Sequence, residues 1–234
     1  PRSTLFPYTT LFRSNFFSIS GILKKGIIFK GDLNRCDYIG GQMKNGKIIV
    51  NGNVGDYLGN KMNGGKIVVN GSSANYTASS FKNGEILITK NTGDFLGSSI
   101  QGEKLGMSGG VVIIKGNAGH RAGFKMRSGV IYVKGNAKDF IGCQMIAGTI
   151  IIGGKIGLNI GLLMKRGTII LKKQKLFAPY LNYSGKNNYI FLKIIQNYLE
   201  KLSNEFKNIF PNTYIKKYLG DINCKGMGEI LVIS

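Results

Sequence analysis

Glycines recur at a fixed spacing along most of the chain, and this repeat restricts the possible folds more than any other feature. They begin successive units at Gly46, Gly65, Gly84, Gly110, Gly129, Gly148 and Gly167, so the spacing is 19 residues at every step except one of 26. The unit GKIIVNGNVGDYLGNKMNG at 46–64 returns as GVIYVKGNAKDFIGCQMIA at 129–147. A fixed period in this range is typical of architectures in which similar units stack on one another.

Two apolar columns, two residues apart, run through the repeat. The first holds Ile27, Ile48, Ile67, Ile86, Val112, Ile131, Ile150 and Ile169, and the second holds Phe29, Val50, Val69, Ile88, Ile114, Val133, Ile152 and Leu171. This alternation in mostly β-branched residues predicts short strands with one buried side. We therefore predict an all-β fold, a single right-handed parallel β-helix of about eight coils with a 19-residue repeat, plus a C-terminal α-helix and tail.

Three further columns predict where the other side chains point. A glycine column at Gly40, Gly59, Gly97, Gly123, Gly142 and Gly161, with Ala78 as its exception, is expected at tight corners. Three residues later, Met43, Met62, Phe81, Ile100, Met126, Met145 and Met164 are expected to fill the bore. The residues between the two strand columns should point outward; they are Ile28, Ile49, Val68, Leu87, Ile113, Tyr132, Ile151 and Ile170.

The two ends of the chain depart from the repeat. Residues 4–14 read TLFPYTTLFRS, which resembles the conceptual translation of a sequencing adapter, so residues 1–14 are not expected to belong to the fold and the natural N-terminus is expected to be missing. The β-helix is predicted over 20–173, and a C-terminal helix and capping tail over 174–234. Within that tail, apolar residues at helical spacing predict one amphipathic helix over 189–206, and GEILVIS predicts a final strand.

The net charge of +21 is the one extreme value of the composition. Without Arg2 and Arg13 it is +19, because residues 1–14 contain no acid. Two interpretations stay open: AT-rich coding bias, and a polyanionic partner. The three cysteines, Cys36, Cys143 and Cys224, suggest free thiols in a reducing cytosol, and no apolar run reaches the length of a membrane helix.

The sequence predicts neither a catalytic residue nor a metal ligand. It has one histidine, His120, no Ser/His/Asp set and no cluster of ligands. The column of Asp37, Asp56, Asp94 and Asp139, interrupted by Asn75, His120 and Leu158, is interpreted as turn-forming. Asn53, Asn117 and Asn136, each after a corner glycine, are expected to cap turns.

The fifth coil is the exception to the repeat. It has His120 and Arg121 where other coils have Asp and an aromatic residue, and a long insertion at 98–110 precedes it. Lys104, His120, Arg121, Lys125 and Arg127 are therefore candidates for binding an anion, with a solvated basic edge as the equal alternative.

These residues also carry a family resemblance, which covers about residues 20–234. The run GEKLGMSGGVVIIKGNAGHRAGFKMRSG, then MIAGTIII, and the ending YLGDINCKGMGEILV resemble the GxGxG-type β-helix subunit of formylmethanofuran dehydrogenase, above all its bacterial form in the formyltransferase/hydrolase complex of methylotrophs. Coil three lacks several repeat glycines and coil four has Lys90 in place of one, which puts local regularity in question.

The resemblance implies a role in one-carbon metabolism. It implies a cytoplasmic, non-catalytic assembly subunit of a complex that acts on formyl groups carried by methanofuran or an analogue. Other subunits would be its partners, and these would hold the metals: zinc, or molybdenum or tungsten in dehydrogenase forms. This chain would bind no cofactor, but its basic residues would attract the glutamate-rich tail of such a coenzyme. Independently of the resemblance, the length of the outward apolar column predicts that the helix over 189–206 covers part of it and that a partner subunit covers more.

Two other functions remain as alternatives. One is the GxGxG β-helix linker domain of a glutamate synthase-type enzyme, which shares the repeat. The other is a basic solenoid that binds an anionic polymer. Nucleic acid is the weaker ligand for such a solenoid, because the aromatic column Tyr38, Tyr57, Tyr76, Phe95 and Phe140 lacks a matching lysine ladder.

Overall fold

Parallel strands carry the repeat in the part of the chain that the computed structural model describes, which is residues 12–13, 17–22, 26–172, 179–188, 190–202, 206–207, 209–210, 214–224 and 226–233. The strands are β3 (Gly26–Gly31), β4 (Lys47–Asn51), β5 (Asn63–Val69), β6 (Asn83–Ile88), β7 (Ser108–Ile114), β8 (Ser128–Val133), β9 (Thr149–Ile152) and β10 (Thr168–Leu171). Each pairs with the next in parallel, with equivalent repeat positions opposite each other, as in Ile48↔Ile67 and Ile67↔Ile86. The predicted β-solenoid of about eight turns is confirmed.

From Val50 onward the inner strand columns form the core that the sequence predicts, whereas in the first coils Ile27 is 38% exposed and Phe29 and Ile48 are only partly buried. Val50, Ile67, Ile86, Ile131 and Ile150 are fully buried in one apolar cluster that runs through the solenoid. The glycines that begin each unit have positive φ angles, and at each of them after Gly46 the coil below is also close. A Cβ atom at Gly84, where φ is +111°, would lie 2.6 Å from the carbonyl oxygen of Gly65.

The methionine column contains Met107 rather than Ile100, so that part of the prediction is wrong. Met107 is fully buried. A Cβ atom at Gly129 would lie 2.7 Å from its methyl group, just as a Cβ atom at Gly84 would lie 2.9 Å from the methyl group of Met62. Ile100 lies within the insertion and is half-buried. The insertion therefore falls before the column position, and counting three residues from Gly97 selects the wrong side chain.

Coils three and four keep the regular register despite their missing glycines. The backbone N–H of Lys90 donates a hydrogen bond to the carbonyl of Gly71, and the carbonyl of Lys90 accepts a hydrogen bond from the N–H of Gly116, both at 3.0 Å. Inside coil three, the buried Thr77 hydroxyl donates to Ser73 at 2.8 Å, and Ser73 donates to Thr92 at 3.0 Å. Because these hydroxyls satisfy one another, these small polar residues occupy the bore without an orphaned group.

The middle strand column points outward, and the C-terminal helix covers half of it. Helix α1 (Ile190–Leu202) lies within the range predicted for it. Its Leu192 and Leu199, followed by Phe206 and Ile209, pack in a second apolar cluster on the outer face. Ile113, Tyr132, Ile151 and Ile170 are buried in that cluster, whereas Ile28, Ile49, Val68 and Leu87 are only half-buried. The prediction that this column faces away from the bore is confirmed.

Further strands close both ends of the sheet. Strand β13 (Glu229–Ile233) pairs in parallel with β10, which confirms the predicted final strand. Antiparallel strands β12 (Tyr214–Leu219) and β11 (Asn182–Asn188) follow outward from β13. At the other end, β2 (Phe17–Ile22) is antiparallel to β3, and β1 (Phe12–Arg13), within the segment attributed to an adapter, is antiparallel to β2. The long parallel sheet is thereby flanked on both sides rather than ending at β3 or β10.

A buried aspartate in the tail completes the last coil. In earlier coils the residue equivalent to Leu163 donates its N–H to a carbonyl of the next coil, as Gln144 does to Leu162 at 2.8 Å. Leu163 has no further coil and donates instead to a carboxylate oxygen of Asp221, at 2.7 Å. The other oxygen of Asp221 accepts from the backbone of Asn223 at 2.8 Å, and the residue is fully buried. Its side chain replaces the turn carbonyl that a further coil would supply.

The described part of the chain contains no helix long and apolar enough to cross a membrane.

Candidate functional site

The candidate site lies on a turn with left-handed backbone that recurs from coil to coil. Tyr38, Tyr57, Tyr76, Phe95, Arg121, Phe140 and Asn159 occupy one column, with φ between 57° and 63°. Such angles are unfavourable for residues with a Cβ atom. From Tyr38 to Phe140, each backbone N–H in the column donates to a carbonyl of the next coil, which holds the conformation; for Arg121 the acceptor is Asp139, at 2.9 Å. The side chains of this column therefore all leave the solenoid at one corner.

The aromatic members of the column form a stack that Arg121 continues. The rings of Tyr38, Tyr57, Tyr76 and Phe95 lie face to face with centroids 4.6, 4.9 and 4.7 Å apart. The guanidinium of Arg121 is 5.6 Å from the Phe95 centroid and 5.5 Å from that of Phe140. Arg121 is thus inserted between two rings in cation–π geometry, which fixes the position of its charge while the side chain remains exposed.

His120 belongs to a ladder of side-chain acceptors. Asp37 accepts the backbone N–H of Asp56 at 2.8 Å, Asn75 accepts that of Asp94 at 2.9 Å, and the pattern continues coil by coil. The Nδ1 atom of His120 accepts a hydrogen bond from the backbone N–H of Asp139 at 3.3 Å. The same atom lies 3.4 Å from the carboxylate of Asp139. The acidic column is therefore turn-forming, as predicted. Asn75 and His120 do not interrupt this ladder, because each accepts a hydrogen bond from the backbone N–H of the next coil, as the aspartates do.

The insertion before coil five folds against the same side of the solenoid. The N–H of Ser99 donates to the carbonyl of Phe124 at 3.2 Å, and that of Gly106 donates to Lys125 at 2.9 Å. Glu103 forms an ion pair with Lys61 at 2.7 Å and accepts a hydrogen bond from the Ser80 hydroxyl. The hydrogen bonds from Lys61 and Ser80 hold the pKa of Glu103 below its ordinary value.

The structure places four of the five predicted anion-binding residues along this turn and insertion. His120 and Arg121 lie in adjacent columns of the turn, and the Lys125 ammonium lies 5.1 Å from the centroid of the Phe124 ring. Lys104 is exposed on the insertion. It precedes Gly106 by two residues, and the N–H of Gly106 donates to the carbonyl of Lys125.

Arg127 belongs to a different basic group. It lines an open surface cavity of about 610 Å³ together with Lys165 and Arg166, which the sequence reasoning missed. The signal that could have found this group is a recurrent cation directly after the bore-filling column, at Lys44, Lys82, Arg127 and Lys165. Of the five predicted residues, four therefore lie on the turn and the insertion, and Arg127 lies with Lys165 and Arg166.

The chemistry offered by these groups is that of charge recognition. Among the residues described, no three His, Cys, Asp or Glu side chains come together as a metal site would require. Cys36, Cys143 and Cys224 are free thiols. Burial raises the pKa of the Cys143 thiol, which disfavours the thiolate that a nucleophile needs. Arg121 and Lys104 are exposed and Lys125 is half-buried, so all three cations can be reached from solvent.

Comparison with known proteins gives the class first. A family model described as the GXGXG motif matches residues 39–222, which is most of the chain, so the chain belongs to the GXGXG motif family. The stacked coils with glycine at recurrent corners agree with that membership. No curated protein sequence gives a significant match.

A solved structure then gives a specific relative. A chain of the formyltransferase/hydrolase complex from Methylorubrum extorquens, crystallised with methylofuran, is 31% identical, with a TM-score of 0.79. The match covers 87% of this chain and 76% of that chain. This protein is therefore related to one of the subunits of that complex.

Proposed function

We propose that the chain is the non-catalytic assembly subunit of a complex that transfers and hydrolyses formyl groups on a methylofuran-like coenzyme in the cytoplasm. The observation that carries the proposal is the match to a chain of the formyltransferase/hydrolase complex over 87% of the length at 31% identity. The GXGXG match is equally compatible with a glutamate synthase linker, so it does not discriminate between the two.

The distribution of side chains supports an assembly role. Formyl transfer or hydrolysis needs a metal-activated water, or a positioned base with an oxyanion site. The aspartates that line up along the ladder are engaged by backbone N–H groups, as Asp94 is by His120 at 2.8 Å. His120 itself accepts a backbone bond through Nδ1. Metals and reacting groups are accordingly assigned to the partner subunits.

Copurification with the other subunits tests this proposal. The chain, co-expressed with the remaining subunits encoded in the same genome, is expected to elute with them as one complex in size-exclusion chromatography. Co-expression with a glutaminase and a synthase barrel of the glutamate synthase type is the matched alternative. Binding to the second set and not to the first would overturn the proposal.

We also propose that the basic turn attracts the glutamate-rich tail of the coenzyme. Lys104, His120, Arg121 and Lys125 are the candidate contacts, whereas Arg127 lies with the second basic group. The ring stack fixes Arg121, and hydrogen bonds join the insertion that carries Lys104 to the coil at Lys125. Attraction between exposed charges is screened by salt. In the assembled complex, Lys104→Gln with Lys125→Gln should raise KM for the coenzyme and flatten its salt dependence, whereas Lys193→Gln, at an exposed lysine on α1, should not. An unchanged KM would contradict this role.

A further inference from the structure

The outward apolar column continues beyond the part that α1 covers. Ile28, Ile49, Val68 and Leu87 are half-buried, and we call these four residues the open stripe. Leu87 packs against the outer cluster in which Ile113 and Tyr132 are buried. The open stripe and the covered half are therefore one continuous surface on consecutive parallel strands.

The chain itself shows what kind of element fits this surface. Over the second half of the column, α1 lays Leu192 and Leu199 against Ile113, Tyr132, Ile151 and Ile170, whose exposure is between 0% and 6%. Four strands spaced about 4.8 Å apart make the open stripe about 14 Å long. A helix of about ten residues spans that length at 1.5 Å per residue.

Next to the open stripe, α1 leaves an apolar edge uncovered. Ile190, Ile194 and Tyr198, four residues apart, are 75%, 62% and 55% exposed. Tyr198 lines a surface cavity together with Asn83 and Gly84 of β6, the strand that carries Leu87. The open stripe and the uncovered edge of α1 thus meet at β6.

The charges around the open stripe specify its partner. Its neighbours on the outward face include Lys30 and Lys47, both exposed, and Lys66, which pairs with Glu85 at 2.9 Å. In the covered half, the positions equivalent to Lys47 are Val111 and Val130. The open half is therefore apolar along its centre, with the exposed Lys30 at one margin and the exposed Lys47 at the other. The half that the chain covers by itself is apolar at the margin equivalent to Lys47.

From this arrangement we propose that the open stripe is the docking site for an amphipathic helix of a partner subunit, with an apolar face and acidic flanks. The proposal rests on the assembly function proposed above and names the surface through which assembly occurs. The helix lies across β3–β6 as α1 lies across β7–β10, and its acidic residues pair with Lys30 and Lys47. A second copy of this chain is disfavoured as the occupant, because a symmetric contact sets the same lysines against each other and the net charge is +21.

Matched variants in the co-expressed complex test the proposal. Ile49→Glu and Val68→Glu place acids in the open stripe and are expected to weaken partner binding at least about tenfold. Leu158→Glu, an exposed apolar residue outside the stripe, is the control and should bind normally. Lys47→Glu should weaken binding and reduce its dependence on salt, because one attractive charge pair is lost, whereas Lys138→Glu should not.

The outcomes separate the two proposals. Normal binding by the stripe variants, with a wild-type chain that assembles, overturns the docking site and leaves the assembly function standing. A wild-type chain that binds no other subunit overturns both. Photo-crosslinking gives a second test whose result a folding defect cannot imitate. A photo-reactive residue in place of Leu87 in the assembled complex should crosslink to an acidic amphipathic segment of a partner. Attachment only within this chain, or to a second copy of it, overturns the proposal.

Discussion

At the scale of single residues, the stacked columns make one side chain depend on another in a different coil. A Cβ atom at Gly59 would lie 2.5 Å from Cδ1 of Ile86, and one at Gly97 would lie 2.5 Å from Cδ1 of Ile131. Ala78 is the one member of this column with a Cβ atom, and the position equivalent to Ile86 and Ile131 is Val112, which lacks Cδ1. The Cδ1 methyl group that Val112 lacks leaves room for the Cβ methyl group of Ala78.

This pairing predicts a coupled effect on stability. Val112→Ile should lower the free energy of unfolding by about 1–3 kcal/mol, because it overpacks the bore beside Ala78. Adding Ala78→Gly should relieve most of that loss. Denaturant unfolding of the two single variants and the double variant measures the coupling. Additive effects would show that Ala78 and Val112 do not compensate each other.

The histidine of coil five predicts a second pair of variants. His120→Ala removes the acceptor of the Asp139 N–H and should cost about 1 kcal/mol. His120→Asn should keep the bond, because Asn75 accepts the equivalent N–H from Asp94 at 2.9 Å. Thermal unfolding distinguishes the variants, and the assembled complex should stay largely active with either. Loss of activity with both variants, at unchanged stability, would assign His120 a chemical role.

At the scale of the elements, the repeat made the strands and their stacking predictable, because each coil contributes the same residues to the same wall. Helix α1 was predictable from the spacing of its apolar residues. The tail strand β11 was not, since NYSGKNN has no apolar alternation and its place depends on pairing with β12. Met107 was missed because the length of the insertion is visible in the sequence, but the point at which the coil resumes is not.

The site was partly predictable for the same reason. The departure of coil five from the repeat pointed to His120 and Arg121, but their roles depend on neighbours in other coils. The sequence did not show that Arg121 is held between Phe95 and Phe140, because these residues are 26 and 19 positions away. The second basic group around Lys165 and Arg166 was missed because it joins residues that belong to different coils.

The junction between the tail and the last coil predicts a local stability effect. Asp221→Ala removes the acceptor of two backbone N–H groups, those of Leu163 and Asn223. Leaving them unpaired should cost about 2–4 kcal/mol. Hydrogen exchange should show earlier opening of β10 and β13, while β5 and β6 stay protected. The exposed Asp32→Ala is the control, and equal protection in the two variants would contradict the capping role.

At the scale of the whole molecule, the solenoid presents two unlike surfaces to its surroundings. One is the corner where the ring stack, Arg121 and the insertion meet. The other is the outward sheet face, half covered by α1 and half open. In the part of the chain that the structure describes, neither surface gathers a set of metal ligands, and both suit recognition of another molecule.

The covered half of the sheet face predicts the effect of a truncation. Removal of the chain from 189 onward should expose Ile113, Tyr132, Ile151 and Ile170, because the residues that bury them lie in the removed segment. Assembly with the partner subunits should be impaired. Copurification of the truncated chain measures this, and normal recovery of the complex would show that the tail is dispensable.

The most direct measurement of the central claim is turnover of a formylated methylofuran-like coenzyme by three preparations: the isolated chain with added zinc, the partner subunits without it, and the full complex. We expect no hydrolase, transferase or dehydrogenase activity in the isolated chain, incomplete assembly in its absence, and an active complex that remains largely active with His120→Ala. Turnover by the purified chain alone, abolished by His120→Ala, would contradict the assembly role.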